Sequence, residues 1–136
     1  MEREETPAMS RRRACWLGAP AMFNLQAACT VLVEAYGPHI YLVGSCLERR
    51  DYRDVDVRCM LGDAEFARLF PGSTTPTHWH ARLNILNAAI SEWLAARTGL
   101  PIDFQFQQSS DANAQFLGPR SALGHYFARE EESDVE

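Results

Sequence analysis

The sequence predicts a small mixed α/β domain of the α+β kind, and three observations carry that expectation. The chain has 136 residues, which fits one domain around a single core. Apolar residues recur at helical spacing in some segments and alternate at strand spacing in others. In order, these segments read helix, strand, strand, short helix, long helix, strand.

The first helix is expected from about Ala21 to Tyr36, where Leu25, Cys29, Leu32 and Tyr36 share a face. Gly37-Pro38 stops it. His39-Ile40-Tyr41-Leu42-Val43 then reads as a short buried strand that ends on Gly44-Ser45. Residues 46–53 are polar and charged and read as a loop. From Asp54 to Leu61 the pattern alternates: Val55, Val57, Cys59 and Leu61 on one face, Asp54, Asp56, Arg58 and Met60 on the other.

Gly62 breaks this strand, and Asp63 is placed to cap a short helix through Phe70. Residues 71–76 form a loop rich in Pro, Gly, Ser and Thr. A long amphipathic helix follows to about Thr98, with Trp79, Leu83, Leu86, Ile90 and Trp93 as its apolar stripe. Gly99 suits the left-handed position that ends a helix, with Pro101 just beyond. Ile102 to Gln107 alternates as a third strand, with Asp103, Gln105 and Gln107 on its polar side. Residues 109–136 are weakly patterned. The expected organisation is an arm over 1–14, a domain over 15–125 and an acidic tail over 126–136.

Composition narrows the function classes. Hydrophobic residues make up 46% and charged residues 23%, enough to pack a core. No apolar run is long enough to span a bilayer. The first residues are acidic where a secretory leader would be basic and then apolar, so the chain reads as cytoplasmic. The four cysteines show no C-x-x-C pair and no zinc spacing, and read as buried thiols. A net charge of −5 does not point to nucleic acid. All 13 basic residues are arginine, so a basic contact to phosphate has to be a guanidinium.

The chemistry lies in the acids. Asp54 and Asp56 are two apart on a predicted strand, about 6.5–7 Å between backbones. Carboxylates so placed repel unless a cation or a proton compensates them. Mg²⁺ favours hard oxygen ligands and completes its shell with water and substrate phosphates. Asp103 adds a third carboxylate if its strand lies beside theirs. Gly44 lets a phosphate approach the backbone closely, and Ser45 adds a hydroxyl.

Together, Val43-Gly44-Ser45, a short polar spacer, Asp54-Val55-Asp56 and a later Ile102-Asp103-Phe104 resemble the signature of the DNA polymerase β-like nucleotidyltransferase superfamily. The likeness spans residues 22 to about 107 and is greatest to the small stand-alone members of phages and bacteria. It implies a minimal nucleotidyltransferase fold, with Gly44 and Ser45 holding the triphosphate of an NTP. It also implies that Asp54, Asp56 and Asp103 bind Mg²⁺ or Mn²⁺ and act in catalysis. The implied reaction moves an NMP to a hydroxyl of a protein, an RNA or a small molecule. The alternative is a non-catalytic module that binds a nucleotide or a partner protein.

Arg58 shares the acidic face, where it serves either to bind the nucleotide's phosphate or to pair with the aspartates. Arg49, Arg50 and Arg53 read as a solvated loop, with a triphosphate grip as the alternative. His78 and His80 do not share a helical face and read as helix-start residues rather than metal ligands. Gly118-Pro119-Arg120-Ser121 reads as a turn, with a basic closure over a ligand as the alternative.

Overall fold

In a computed structural model describing residues 16–72 and 80–124, four strands join in one mixed sheet. In chain order the elements are α1 (Ala19–Tyr36), β1 (Ile40–Val43), a 3-10 turn (Ser45–Leu47), β2 (Val55–Leu61), α2 (Asp63–Leu69), α3 (Ala81–Thr98), β3 (Ile102–Gln108), α4 (Ser109–Gln115) and β4 (Ser121–Ala122). The sheet order is β3-β2-β1-β4. β1 runs antiparallel to both β2 and β4, and β2 runs parallel to β3. The mixed α/β class expected from the sequence is what the chain adopts.

The core follows from the alternation. Val55, Val57, Cys59 and Leu61 of β2 are buried together with Phe104 and Phe106 of β3 and Ile40 and Leu42 of β1. Leu25, Cys29 and Leu32 of α1 and Leu83, Ile90 and Leu94 of α3 close over them. Tyr36 meets Phe106 edge-on at 4.8 Å, which ties the end of α1 to β3. Burial pushes the Cys29 and Cys59 thiols up to about 12, so both sit neutral in the core.

β3 is an edge strand, and α3 covers that edge with two side chains one turn apart. The Phe104 N–H donates to Ser91 Oγ at 2.8 Å, and the Phe106 N–H donates to Asn87 Oδ1 at 3.0 Å. Two polar residues at i and i+4 on the helix thus satisfy donors that would otherwise invite another strand. The helix itself starts on His80, whose Nδ1 accepts the Leu83 N–H at 3.4 Å while its Nε2 lies 2.9 Å from the Pro71 carbonyl. Both ring nitrogens are therefore engaged locally. At the other end Gly99 adopts φ 73°, the left-handed cap its position suggested.

Several expectations are corrected. β2 begins at Val55, whose N–H donates to the Pro101 carbonyl at 2.9 Å, so Asp54 precedes the strand instead of opening it. Asp63 does not cap its own helix: Gly62 holds that position, and Asp63 Oδ1 accepts the Ser110 N–H from α4 at 3.2 Å. The weakly patterned segment after Gln108 carries α4 and β4. The loop over 46–53 opens with a 3-10 turn. α1 starts at Ala19, with Pro20 in its first turn. The arm over 1–14, the tail over 126–136, Cys15, His78 and Trp79 lie outside the described residues. No helix among the described residues is long and apolar enough to cross a membrane.

Candidate active site

The second face of the sheet carries the polar side chains, and the register gathers them into rows. Val43, Asp56 and Asp103 are partners across β1, β2 and β3. The next row holds Tyr41, Arg58 and Gln105, and beyond it Met60 pairs with Gln107. Asp56 and Asp103 come from positions 47 apart in the chain, and only the parallel pairing of β2 with β3 places them side by side.

Gly44 bounds the acid row. Its φ of 83° lies in the region that favours glycine. A Cβ built there would stand 2.2 Å from Asp56 Oδ2 and 3.1 Å from Asp56 Cγ. The absent side chain is thus the space that the Asp56 carboxylate occupies. Immediately after it, the Gly44 carbonyl accepts the Leu47 N–H at 3.1 Å, and the Ser45 carbonyl accepts the Glu48 N–H at 2.9 Å. These bonds wind the chain into the 3-10 turn, whose first residue is Ser45; Ser45 itself does not line the cavity over the acids.

Arg58 anchors the row electrostatically. Its Nη1 donates to the Asp103 carbonyl at 2.7 Å and to the Val57 carbonyl at 3.1 Å. Its Nη2 lies 3.5 Å from Asp103 Oδ2 and 3.8 Å from Asp56 Oδ1. Side-chain exposure rises from 13% for Arg58 through 22% for Asp56 to 44% for Asp103, so the guanidinium is inside and Asp103 is the acid that meets solvent. Burial raises the Asp56 carboxyl above the usual carboxylate range. The Arg58 charge opposes that rise, and the charges of Asp103 and Asp54 add to it, as does a hydrogen bond with the Asp103 carboxyl.

Asp54 is exposed and one residue outside the strand. Among the described residues, no three His, Cys, Asp or Glu side chains gather closely enough to hold a metal ion by themselves. The structure therefore brings two of the three predicted acids together, with Gly44 against one of them.

A cavity of about 490 Å³ opens over this face. Gly44, Asp56 and Arg58 line it, with Met60 and Gln107 farther along the same strands and Phe116 and Arg120 from the segment after α4. The segment 116–120 after α4 forms a wall, with Arg120 5.7 Å above the Tyr41 ring. Gly118, Pro119 and Arg120 thus line the cavity. Sequence reasoning left out Gln107 and Phe116. The alternation of β3 put Gln107 on the polar side, but no motif marked it, and Phe116 lies where the pattern is weak. The loop arginines do not line the cavity: Arg49 pairs with Asp51 at 3.4 Å, and Arg50 stands 5.5 Å from the Trp16 ring. Set against family models, curated proteins and solved structures, the chain matches none.

Proposed function

We propose that the chain is a metal-dependent nucleotidyltransferase that moves an NMP from an NTP to a hydroxyl acceptor. The observation that supports this most is the in-register pair Asp56–Asp103, whose Asp56 lies against Gly44 and lines the cavity with it. Two neighbouring carboxylates fit Mg²⁺ or Mn²⁺, which is often bound through one or two protein carboxylates, with waters and substrate phosphates in the remaining positions. Asp56 and Asp103 would hold the ion, and Asp54 would reach it from the loop. When bound, the ion supplies positive charge that favours deprotonation of the acceptor and offsets charge on the leaving group.

The chain's own residues supply the rest. Gly44 has no side chain to keep a phosphate from the backbone, and Ser45 after it carries a hydroxyl. Arg58 holds the acids in place and compensates their charge. Asp103, the more exposed acid, receives the acceptor proton. The acceptor oxygen then bonds to the α-phosphorus, the α–β bridging bond breaks, and pyrophosphate leaves with the electron pair. Cys29 and Cys59 as buried neutral thiols suit a reducing cytoplasm.

The test is incubation with α-labelled NTPs, Mg²⁺ or Mn²⁺, and protein, RNA and small-molecule acceptors. Label transfer is expected from the wild type and is expected to fall at least about 100-fold in Asp56→Asn/Asp103→Asn. Equal transfer by the two proteins would refute the assignment. A second reading, a module that binds NTP without turnover, is favoured by the Arg58 ion pairs and by Asp54 standing outside the strand. Metal-dependent NTP binding in calorimetry, with no transfer to any acceptor, would select it.

A further inference from the structure

Among the described residues the cavity lining holds two cations, Arg58 and Arg120, and their surroundings differ. Arg58 is held within the sheet by two carbonyls and two carboxylates. The partners of Arg120 are neutral. Its guanidinium lies 5.7 Å over the Tyr41 ring, and its Nη2 donates to the Phe116 carbonyl at 3.4 Å. Among the described residues it makes no ion pair, not even with Glu48 on the same lining. We infer that Arg120 binds the terminal phosphate of the nucleotide and makes the site select a triphosphate over a diphosphate. The inference rests on the nucleotide reading above.

The sheet register puts Arg120 where that contact needs it. β4 pairs with β1 through Tyr41–Ala122 and Leu42–Ser121, and the Leu123 N–H continues the ladder to the Ile40 carbonyl at 2.9 Å. One step the other way, Arg120 falls opposite Val43, the residue before Gly44. Val43 is the partner of Asp56, and Asp56 is the partner of Asp103. The acid row thus continues to a cation at the far edge of the sheet. Alternation sets the face: Leu123 is buried in the core, so Arg120 and Ala122 belong to the open side. Two strand spacings separate the Arg120 backbone from that of Asp56, about 10 Å.

Gly44 follows Val43 and lies against Asp56, on the way between the two charges. With the α-phosphate at the acids, the β- and γ-phosphates run past Gly44 toward Arg120. A diphosphate ends before it. The guanidinium offers two parallel N–H donors to one phosphate, and the Tyr41 ring beneath it fixes its plane. In transfer the same group rests on the departing pyrophosphate, where negative charge develops as the α–β bridging bond breaks.

The experiment is calorimetry of the full chain with ATP, ADP and inorganic tripolyphosphate in Mg²⁺. Wild type is compared with Arg120→Gln, Arg120→Lys and Asp56→Asn/Asp103→Asn. ATP and tripolyphosphate are expected to bind wild type at least about tenfold tighter than ADP, the size of one charged hydrogen-bonded contact. Arg120→Gln keeps an N–H for the Phe116 carbonyl and loses the charge. It should remove the margin by weakening ATP and tripolyphosphate while sparing ADP. Arg120→Lys keeps the charge without the planar fork and should recover part of the margin.

No margin in wild type, a margin retained in Arg120→Gln, or equal losses of ATP and ADP in that variant (a fastener of the cavity wall only) would overturn the assignment. Loss of metal-dependent ATP binding in Asp56→Asn/Asp103→Asn would in those cases still support the nucleotidyltransferase reading. A margin that depends on Arg120, with binding unchanged in the acid variant, would uphold the phosphate contact and remove the metal site. Wild type that binds neither ATP nor tripolyphosphate would remove both.

Discussion

The two faces of the β2–β3 pair are built from the same seven-residue strands and do opposite work. One face presents Val55, Val57, Cys59, Phe104 and Phe106 to α1 and α3 and is buried throughout. The other presents Asp56, Arg58, Gln105 and Gln107 to a cavity, with Asp103 beside Asp56 in the register. Parallel pairs in α/β proteins are usually covered on both sides and read as continuous apolar runs. Here the alternation is kept, so one side is spent on the fold and the other is free for chemistry. A row of like charges on a strand pair works against stability, and its persistence beside a well-packed core is the physical reason to read that face as functional.

The difference between the faces sets the largest expected effect. Phe104 and Gln105 are neighbours on β3, one inside and one facing the cavity. Phe104→Ala should cost about 3–5 kcal/mol, because it opens a void among Val57, Phe106 and the α3 side chains. Gln105→Ala should stay within about 0.5 kcal/mol, the range of a surface change. Denaturant midpoints at constant m-value measure both. Similar losses at the two positions would break the contrast between the faces.

One glycine sits against the open face and another against α1, and the pair sharpens the comparison at the next level down. Gly124 has φ 80°, and a Cβ there would lie 2.7 Å from the Cys29 carbonyl oxygen, part of the α1 backbone. Gly44 has φ 83°, and its Cβ would meet the end of the Asp56 side chain. Both substitutions carry a positive-φ penalty, of order 1–3 kcal/mol at Gly44, whose ψ of −160° puts it where essentially only glycine goes. Only at Gly124 must backbone also move, so Gly124→Ala should cost more than Gly44→Ala in thermal unfolding. The order should reverse for nucleotide binding. There Gly44→Ala displaces the Asp56 carboxylate and should abolish metal-dependent binding, while Gly124→Ala should leave the folded fraction's affinity unchanged.

How much of this was legible in the sequence depends on the range of the interaction that decides it. The period-2 patterns at 55–61 and 102–107 separate core from open face without reference to any partner, and so does the helix stop at Gly99. The apposition of Asp56 with Asp103 is set by pairing between strands distant in the chain, and no local pattern encodes it. Asp54 fell one position outside its strand because the ladder starts where Val55 meets the Pro101 carbonyl, a contact between distant segments. Asp63 offered the chemistry of a helix cap, but its carboxylate went to the Ser110 N–H instead. α4 has seven residues and β4 has two, and such short elements form because they dock, not because their sequences demand them. The wall of the cavity and Phe116 were hidden for the same reason.

The smallest expected effect is also the one with an unusual sign. Asp56→Asn keeps the shape of the side chain and removes its charge. The folded Asp56 carboxyl titrates above its ordinary range, chiefly because of burial, with Arg58 opposing and Asp103 and Asp54 adding to the rise. A carboxyl raised in the folded state lets the native chain bind more protons than the unfolded chain. Its contribution to stability is therefore fully present below the ordinary aspartate value of about 3.9 and is lost as pH rises through the folded value. At neutral pH the charged Asp56 is a burden on the fold, and the substitution should raise stability slightly while ending transfer activity. Below about pH 4 the benefit should vanish, because the wild-type carboxyl is then neutral as well. Denaturant melts of both proteins between pH 3.5 and 7.5 measure this. A stability gain that grows with pH ties the open face's charge to function at the fold's expense; a loss at neutral pH would mean that the Arg58 ion pair outweighs burial, and that the acid row serves structure instead.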